Sequence, residues 1–293
     1  MDARTNFLDS STTFLLVHGA GTSSFMWGPL QRELALLGYR SYAIDLPGHG
    51  LDAQYPVSYQ APQDIPALSV EVSTLADVGL EDNVAAVLAA AESLTPTGPV
   101  VLVGASLGGI TIGAAASRAP HLFAGIAYIS AWVCVAHANP VEWMAAPEFG
   151  ESMLPLLGGV AVGDPGVIGA GRANYRTADP EQLARLKEAT MAEATDAEFR
   201  AFLNIMQPDE SMLVMMGEGA VDPARWGTIP RTFIRLTQDR SIPLALQDRM
   251  ITDADRLAPA NPFIVRSVDA SHAGFLRQSG TVAGMLTAMD AAD

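Results

Sequence analysis

Short apolar runs alternate with segments of helical periodicity between residues 13 and 132. Such runs, rich in β-branched side chains and bounded by turn residues, are typical of strands buried in a parallel sheet. The strand–helix order repeats with short connections, which predicts a sheet covered by helices on both faces. The predicted strands are residues 13–17, 39–44, 100–103 and 122–132, and the predicted helices are residues 27–37, 80–94 and 110–118.

The alternation stops after residue 132 and resumes near residue 228. The segments between these points have helical periodicity, and none of them is a convincing strand. Asp179-Pro180 and the Thr195/Glu198 pair are typical helix starts, because Asp and Thr cap helices and Pro fits the first turn.

The sheet pattern returns in the last part of the chain. Residues 232–236 and 262–268 are predicted strands, and residues 244–251 and 275–289 are predicted helices. We therefore predict an α/β core formed by residues 1–132 and 228–293, with about six mostly parallel strands. A helical lid, residues 133–227, is predicted to be inserted between two of these strands.

A G-x-S-x-G motif lies between the third predicted strand and the helix that follows it. It reads Gly104-Ala105-Ser106-Leu107-Gly108. Between a strand and a helix, this motif predicts a sharp turn that exposes the serine hydroxyl, with glycines where side chains would collide with neighbouring elements. The motif alone also fits an ordinary Gly/Ser turn, so its meaning depends on partners elsewhere in the chain.

Two such partners follow the last two predicted strands. Asp239 comes shortly after one strand and His272 after the other, as Ser106 does after an earlier strand. Because the carboxyl ends of parallel strands meet at one edge of a sheet, the three side chains are expected to meet there. A serine hydroxyl needs a base, and the base needs an orienting acid. We predict Ser106 as nucleophile, His272 as base and Asp239 as acid.

Other interpretations of these residues stay open on the sequence alone. Asp239 also fits a turn residue or a helix N-cap, and His272 fits an ordinary loop histidine. Asp269 is a rival acid, but it lies so close to His272 in the chain that we expect it to shape that loop. His18 and His49 each precede a glycine in a turn, and we expect both to brace loops.

The predicted chemistry also needs donors for the negative oxygen of a tetrahedral intermediate. The backbone N–H of Leu107, directly after the nucleophile, is expected at a helix start. The loop after the first strand should supply the second N–H, from Ala20. Backbone donors have no side-chain signature, so both assignments rest on position.

Composition limits the classes of function. The chain has 293 residues, a formal net charge of −15 and 49% hydrophobic residues, which together predict a large core and an acidic surface. This charge argues against nucleic acid as a partner and against anionic membranes. The sequence has no spacing typical of metal ligands, and the predicted chemistry needs no cofactor. We therefore expect neither a bound metal ion nor a cofactor. The sequence leaves open whether the protein forms a homodimer.

Cys134 is the single cysteine, so no intrachain disulfide can form, which fits a reducing compartment. We expect it to be a small buried apolar residue rather than a reactive thiol. The N-terminal residues lack the basic and apolar regions of a signal peptide, and no apolar run is long enough to span a bilayer. The predicted location is the cytoplasm.

The predicted lid contains a group of methionines, whose flexible side chains suit an adaptable apolar pocket. Packing of the lid against the core is the simpler expectation for any single one. The four are Met206, Met212, Met215 and Met216.

At the residues predicted for the triad and the oxyanion donors, the chain resembles the α/β-hydrolase superfamily, and more narrowly its branch of small methylesterases and hydroxynitrile lyases. The resemblance covers residues 14–26, 101–132, 232–251 and 269–275. It implies an α/β-hydrolase fold with a Ser-His-Asp triad. The predicted lid resembles that branch only in being helical.

Two positions separate the esterases of this branch from its lyases. The lyases carry Thr where this chain has Gly19, and Lys where this chain has Ala273. The resemblance therefore favours ester hydrolysis. Ala105 is a departure, because relatives often have His before the serine, and it weakens any analogy of substrate.

We therefore predict a serine hydrolase that cleaves a small to medium hydrophobic carboxylic ester or lactone through an acyl-enzyme. Acyl transfer or cyclisation of a biosynthetic intermediate, lyase chemistry and a cofactor-free perhydrolase share the same triad and stay open. A receptor-like binding module with this fold is the alternative outside the enzymes. Epoxide hydrolases and dehalogenases of this fold use an Asp nucleophile, which Ser106 disfavours.

Overall fold

The computed structural model of the protein describes residues 8–289. Within these residues, the strands are β1 Thr13–Val17, β2 Arg40–Ile44, β3 Val100–Ser106, β4 Gly125–Ala131, β5 Gly171–Arg172, β6 Asp209–Glu210, β7 Arg231–Leu236 and β8 Ile264–Val268. Six parallel strands form one sheet in the order β2-β1-β3-β4-β7-β8, and the short strands β5 and β6 form an antiparallel pair. The parallel sheet of about six strands is thus confirmed.

Helices cover both faces of this sheet, because successive side chains of each strand point to opposite sides. The helices are α1 Gly28–Leu36, α2 Ile65–Leu68, α3 Leu80–Leu94, α4 Gly108–Arg118, α5 Pro140–Trp143, α6 Pro165–Ile168, α7 Pro180–Thr190, α8 Asp196–Leu203, α9 Met212–Met215, α10 Leu244–Leu257 and α11 Ser279–Thr287. Leu15 and Val17 belong to the same hydrophobic cluster as buried side chains of α3, α4 and α10, whereas Phe14 and Leu16 belong to the cluster that contains buried side chains of α1 and α11.

None of the helices between residues 8 and 289 has the length and apolar character needed to cross a lipid bilayer.

Several element boundaries differ from the sequence prediction: β4 begins at Gly125 instead of residue 122, α11 begins at Ser279 instead of residue 275, and β3 and α10 both run further than predicted. Strand β3 continues to Ser106 instead of ending at residue 103, because Gly104 and Ala105 pair with Tyr128 and Ile129 of β4 although the glycine interrupts the apolar run. Helix α10 continues to Leu257. Its last turns bury few side chains. The apolar pattern that predicts a helix therefore stops before the helix ends.

Residues 133–227, called the inserted segment below, lie between β4 and β7 along the chain. They contain the short helices α5 to α9 and several 3-10 turns. The two predicted helix starts are confirmed: the Asp179 side chain caps α7, and Thr195 and Glu198 form a capping box on α8. The expectation of no strand here is wrong, because β5 and β6 pair. Each has two residues, too few to show a periodic pattern.

A buried ion pair holds this small hairpin. The Arg172 guanidinium of β5 makes two hydrogen bonds to the Asp209 carboxylate of β6, each 2.6 Å long. Its remaining nitrogen donates to the carbonyls of Leu68 and Glu71 at 2.6 and 2.8 Å. Arg172 therefore joins β5 to β6 within the inserted segment, and it joins the segment to the region of α2.

Candidate active site

Ser106 occupies a strained turn between β3 and α4. Its φ is +52°, in the left-handed region, a conformation that costs a non-glycine residue about 1–3 kcal/mol. The turn is tight because α4 begins against β1. A Cβ added to Gly108 would lie 2.6 Å from the His18 carbonyl oxygen and 2.8 Å from that of Val17. Glycine is therefore required at position 108, as the motif predicts.

His272 lies between the other two residues predicted for the triad. Its Nε2 is 2.9 Å from Ser106 Oγ, and its Nδ1 is 2.7 Å from Asp239 Oδ2. Since an ionised carboxylate only accepts hydrogen bonds, Nδ1 carries the proton and Nε2 accepts from the serine hydroxyl. The three side chains come from the ends of β3, β7 and β8 and form one continuous hydrogen-bonded series.

The Asp239 side chain is fully buried, and both of its carboxylate oxygens are hydrogen-bonded. Besides binding His272, it accepts the backbone N–H groups of Ser241 and Ile242 on Oδ1, at 2.7 and 2.9 Å. Asp239 is therefore both a turn residue and the side chain bound to His272, so the two interpretations are compatible. The turn that it stabilises fixes its direction toward His272.

Ser130 is a member of this series that the sequence analysis missed. It is fully buried in β4, has a φ of +38°, and donates its hydroxyl hydrogen to Asp239 Oδ2 at 2.5 Å. It lies where the register between β3 and β4 shifts, next to the pairing of Ser106 with Ala131. No motif marks it; only its place at the end of a strand beside the nucleophile strand gives a signal.

The rival acid, Asp269, lies outside the series and is exposed. Its Oδ1 accepts from the Gln238 amide and from the Thr237 hydroxyl, each at 2.8 Å. These hydrogen bonds, that of Gln238 first, lower the pKa of Asp269 below its ordinary value. Asp269 thus links its loop to the loop after β7, as expected.

His18 and His49 also hydrogen-bond within loops, as expected. His18 is buried; its Nδ1 lies 2.9 Å from the Gly19 carbonyl, and its Nε2 accepts from the Leu46 N–H at 3.1 Å. Burial, together with nearby His49, lowers the pKa of His18 to about 4, so it is neutral at neutral pH. The His49 ring centroid is 4.8 Å from that of His18, and its Nδ1 lies 3.1 Å from the Pro47 carbonyl.

The two predicted oxyanion donors border the same cavity. Ala20 follows β1, and Leu107 is the N-cap residue of α4. Among the described residues, neither N–H group donates a hydrogen bond to the protein. The N–H of Leu107 also lies at the positive end of an 11-residue helix, where negative charge is favoured.

The cavity has a volume of about 590 Å³ and is mostly apolar. Ser106 and His272 line it from the core side. Of the four methionines singled out in the sequence, Met206 and Met215 line it, whereas Met216 is half exposed. The inserted segment contributes many of the apolar walls, among them Met144, Phe149, Leu154, Leu157 and Phe202.

Cys134 is buried beside this region but does not line the cavity. Burial raises the pKa of its thiol well above the ordinary value, so the expectation of an unreactive core residue is supported. In residues 8–289, no three His, Cys, Asp or Glu side chains are grouped so that they could hold a metal ion.

Comparison with known proteins extends this description. A family model described as the alpha/beta hydrolase family matches residues 14–284. The chain is 28% identical over 267 residues to the pyrethroid hydrolase of Sphingobium wenxiniae, a match that covers 90% of this chain and 82% of that protein. It is 26% identical over 241 residues to methylesterase 10 of Arabidopsis thaliana, with 82% of this chain and 79% of that protein covered.

A solved structure gives the same picture of the fold. The crystal structure of a pyrethroid hydrolase from Sphingobium faniae superposes with a TM-score of 0.68 at 25% sequence identity. The superposition covers 96% of this chain and 98% of that one.

Proposed function

The chain belongs to the alpha/beta hydrolase family, and we propose that it is a carboxylic ester hydrolase whose nucleophile is Ser106. The observation that carries this proposal is the hydrogen-bonded series from Ser106 through His272 to Asp239, which opens into an apolar cavity. The similarity to a pyrethroid hydrolase and a methylesterase supports ester hydrolysis independently of the geometry.

In the first half of the proposed reaction, Ser106 Oγ bonds to the ester carbonyl carbon while its proton passes to His272 Nε2. Asp239 stabilises the imidazolium and keeps the Nδ1 proton in place. The carbonyl oxygen becomes negative, and the N–H groups of Ala20 and Leu107 are proposed to bind it. Each such donor contributes about 10²–10³ in rate.

The tetrahedral intermediate then collapses. The bond from the carbonyl carbon to the alcohol oxygen breaks, and His272 returns its proton to that oxygen, so the alcohol leaves and an acyl-enzyme remains. In the second half, water attacks the acyl carbon and gives a proton to His272. The proton passes to Ser106 as the acid is released, which restores the enzyme.

The size and lining of the cavity support a hydrophobic ester or lactone of small to medium size. A volume of about 590 Å³ lies within the range of pockets that enclose small organic ligands. We propose that the inserted segment acts as a lid over this cavity, since its apolar side chains form much of the wall. Gly19 and Ala273 also line the cavity and leave no Thr or Lys there for lyase chemistry.

The site assignment is tested by labelling and by substitution. A fluorophosphonate probe is expected to modify Ser106, as located by peptide mass. Ser106→Ala is expected to lower kcat/KM for p-nitrophenyl and methyl aryl esters by about 10⁴-fold or more, because the nucleophile is lost. Ser93→Ala, which removes an exposed hydroxyl from α3, is the matched control and should leave the rate unchanged.

Three results would overturn the proposal. The first is label at a residue other than Ser106, and the second is an ester-cleaving rate of Ser106→Ala within about tenfold of the parent protein. The third is a large rise in melting temperature with an ester that is never cleaved, which would favour a ligand-binding module instead.

A further inference from the structure

The inserted segment binds both the N–H and the carbonyl of Gly21. The Gly21 N–H donates to Glu210 Oε2 at 2.8 Å, and the Gly21 carbonyl accepts the backbone N–H of Gln207 at 2.7 Å. Gly21 directly follows Ala20, the proposed oxyanion donor. The inserted segment therefore contacts the loop that carries this donor through polar groups as well as through apolar walls.

The peptide on the other side of Ala20 is held by the core. The Gly19 carbonyl accepts the Thr22 hydroxyl at 2.7 Å and lies 2.9 Å from His18 Nδ1. In a trans peptide the C=O and N–H point in opposite directions. Fixing the Gly19 oxygen therefore turns the Ala20 N–H the other way. The next peptide, between Ala20 and Gly21, is bound by Glu210, so the backbone of Ala20 is held on both sides.

Glu210 is itself firmly held. Its side chain is 14% exposed, its Oε1 accepts the Ser211 N–H at 2.9 Å, and its Oε2 lies 3.5 Å from His49 Nε2. Burial opposes charge on both Glu210 and His49, but their contact outweighs it, so the pKa of Glu210 is lowered and that of His49 is raised. An ionised carboxylate is a stronger acceptor for the Gly21 N–H than a neutral group.

Glu210 also sits on a rigid element. It belongs to β6, which pairs with β5, and the neighbouring Asp209 is bound by the buried Arg172. The position of the carboxylate is thus set by the ion pair that fastens the inserted segment.

We propose that Glu210 is a positioning residue that couples the inserted segment to the oxyanion loop. In this arrangement the segment does more than enclose the substrate. When it is seated, Glu210 fixes the Ala20–Gly21 peptide, and with it the backbone of Ala20, whose own N–H is proposed to bind the oxyanion. If the segment lifts, that peptide loses its partner. The inference rests on the proposed esterase function and adds a residue to it.

The test removes the acceptor and measures transition-state stabilisation. Glu210→Leu is expected to lower kcat for a p-nitrophenyl ester by about 10- to 100-fold with KM within about twofold, a loss of the size found when the hydrogen-bond partners that orient metal ligands are removed. Glu210→Gln, which keeps an acceptor oxygen, should recover most of the rate. Glu218→Leu, an exposed glutamate of the same segment, is the matched control and should behave as the parent protein.

A second readout separates positioning from simple loss of structure. An aryl trifluoromethyl ketone forms a hemiketal oxyanion on the nucleophile, so its affinity should fall by the same factor as kcat/KM in Glu210→Leu. The corresponding secondary alcohol has no carbonyl and should bind unchanged. If Glu210→Leu does not fold, Glu210→Asp replaces it. Its shorter side chain keeps the charge but withdraws from Gly21, and about a tenfold loss of kcat is expected.

The outcomes distinguish this inference from the proposed function. If the parent protein cleaves esters and is labelled at Ser106, but the folded Glu210 variants keep kcat and ketone affinity within twofold, the positioning role is wrong and the esterase stands. Equal weakening of the ketone and the alcohol would also contradict it, because the substitution would then act on the whole cavity. If the parent protein is neither active nor labelled, the esterase proposal itself fails.

Discussion

The carboxyl edge of the sheet and the inserted segment build the two sides of the same cavity in different ways. At the sheet edge, single residues at the ends of β3, β7 and β8 supply Ser106, Asp239 and His272. The inserted segment supplies a wall of many apolar side chains on short helices and 3-10 turns. In the proposed function, chemistry thus depends on a few groups fixed by regular strands, whereas recognition depends on an irregular segment fixed by a few polar contacts.

This contrast has a consequence that can be measured. Changes at the sheet edge should act on kcat and leave stability and binding almost intact. Changes in the inserted segment should act on stability or KM and leave the chemical step almost intact. Glu210 is the exception proposed above, because it lies in the segment and contacts the oxyanion loop.

The largest effect is expected for Asp239→Asn. The amide can no longer fix the imidazole tautomer that accepts the serine proton, and kcat should fall by about 10⁴-fold with KM little changed. Asp269→Asn is the matched control, since its carboxylate binds only the Thr237 and Gln238 side chains among the described residues. Steady-state kinetics on one activated ester measures both. Equal losses in the two variants would mean that the acid is misassigned.

The next effect is on stability, in Arg172→Met. The substitution leaves the buried Asp209 carboxylate and two backbone carbonyls without their donor, and should cost about 3–5 kcal/mol in the free energy of unfolding. Urea denaturation measures it. Arg176→Met, four positions along, removes an exposed guanidinium that lies over the Tyr59 ring and should cost less than about 1 kcal/mol. Similar losses in both variants would show that the buried pair does not hold the segment.

The smallest effect is on binding, in Leu157→Ala. Leu157 lines the cavity from the inserted segment, and loss of its side chain should raise KM for a bulky apolar ester about tenfold, equivalent to about 1.4 kcal/mol of lost burial. KM for p-nitrophenyl acetate and kcat for both esters should change less than twofold. The neighbouring Leu156 is half exposed and lies outside the lining, so Leu156→Ala is the control. A fall in kcat alone would contradict the division between the two regions.

The sheet edge could be predicted because each of its parts leaves a local pattern. The strand that carries Ser106 is a continuous apolar run, and Gly108 is required by close contact with the β1 backbone. The positions of Asp239 and His272 directly after strands predict that they lie beside Ser106 at this edge, and the structure brings the three side chains into hydrogen-bond contact. The edge of a parallel sheet collects such residues whatever their separation in the chain.

The rest could not be predicted, because it depends on contacts without a local pattern. The contact of Gly21 with Glu210 joins residues 189 positions apart, and the pairing of β5 with β6 involves two residues on each side. Ser130 looks like any small residue of a buried strand, and only the register shift beside Ser106 turns its hydroxyl toward Asp239. The lining of the cavity follows from packing in the inserted segment, which composition does not specify.

The burial of Cys134 allows a thiol-reactive label to be placed at a single chosen position elsewhere in the protein. Because it is the only cysteine of the chain and its thiol is enclosed in the core, maleimide reagents should leave the native protein unmodified. A cysteine introduced at the half-exposed Val167, on the inserted segment, would then accept a single fluorophore. Its emission would test the proposed lid, because it would report any opening and closing of the segment during turnover with no background label to subtract.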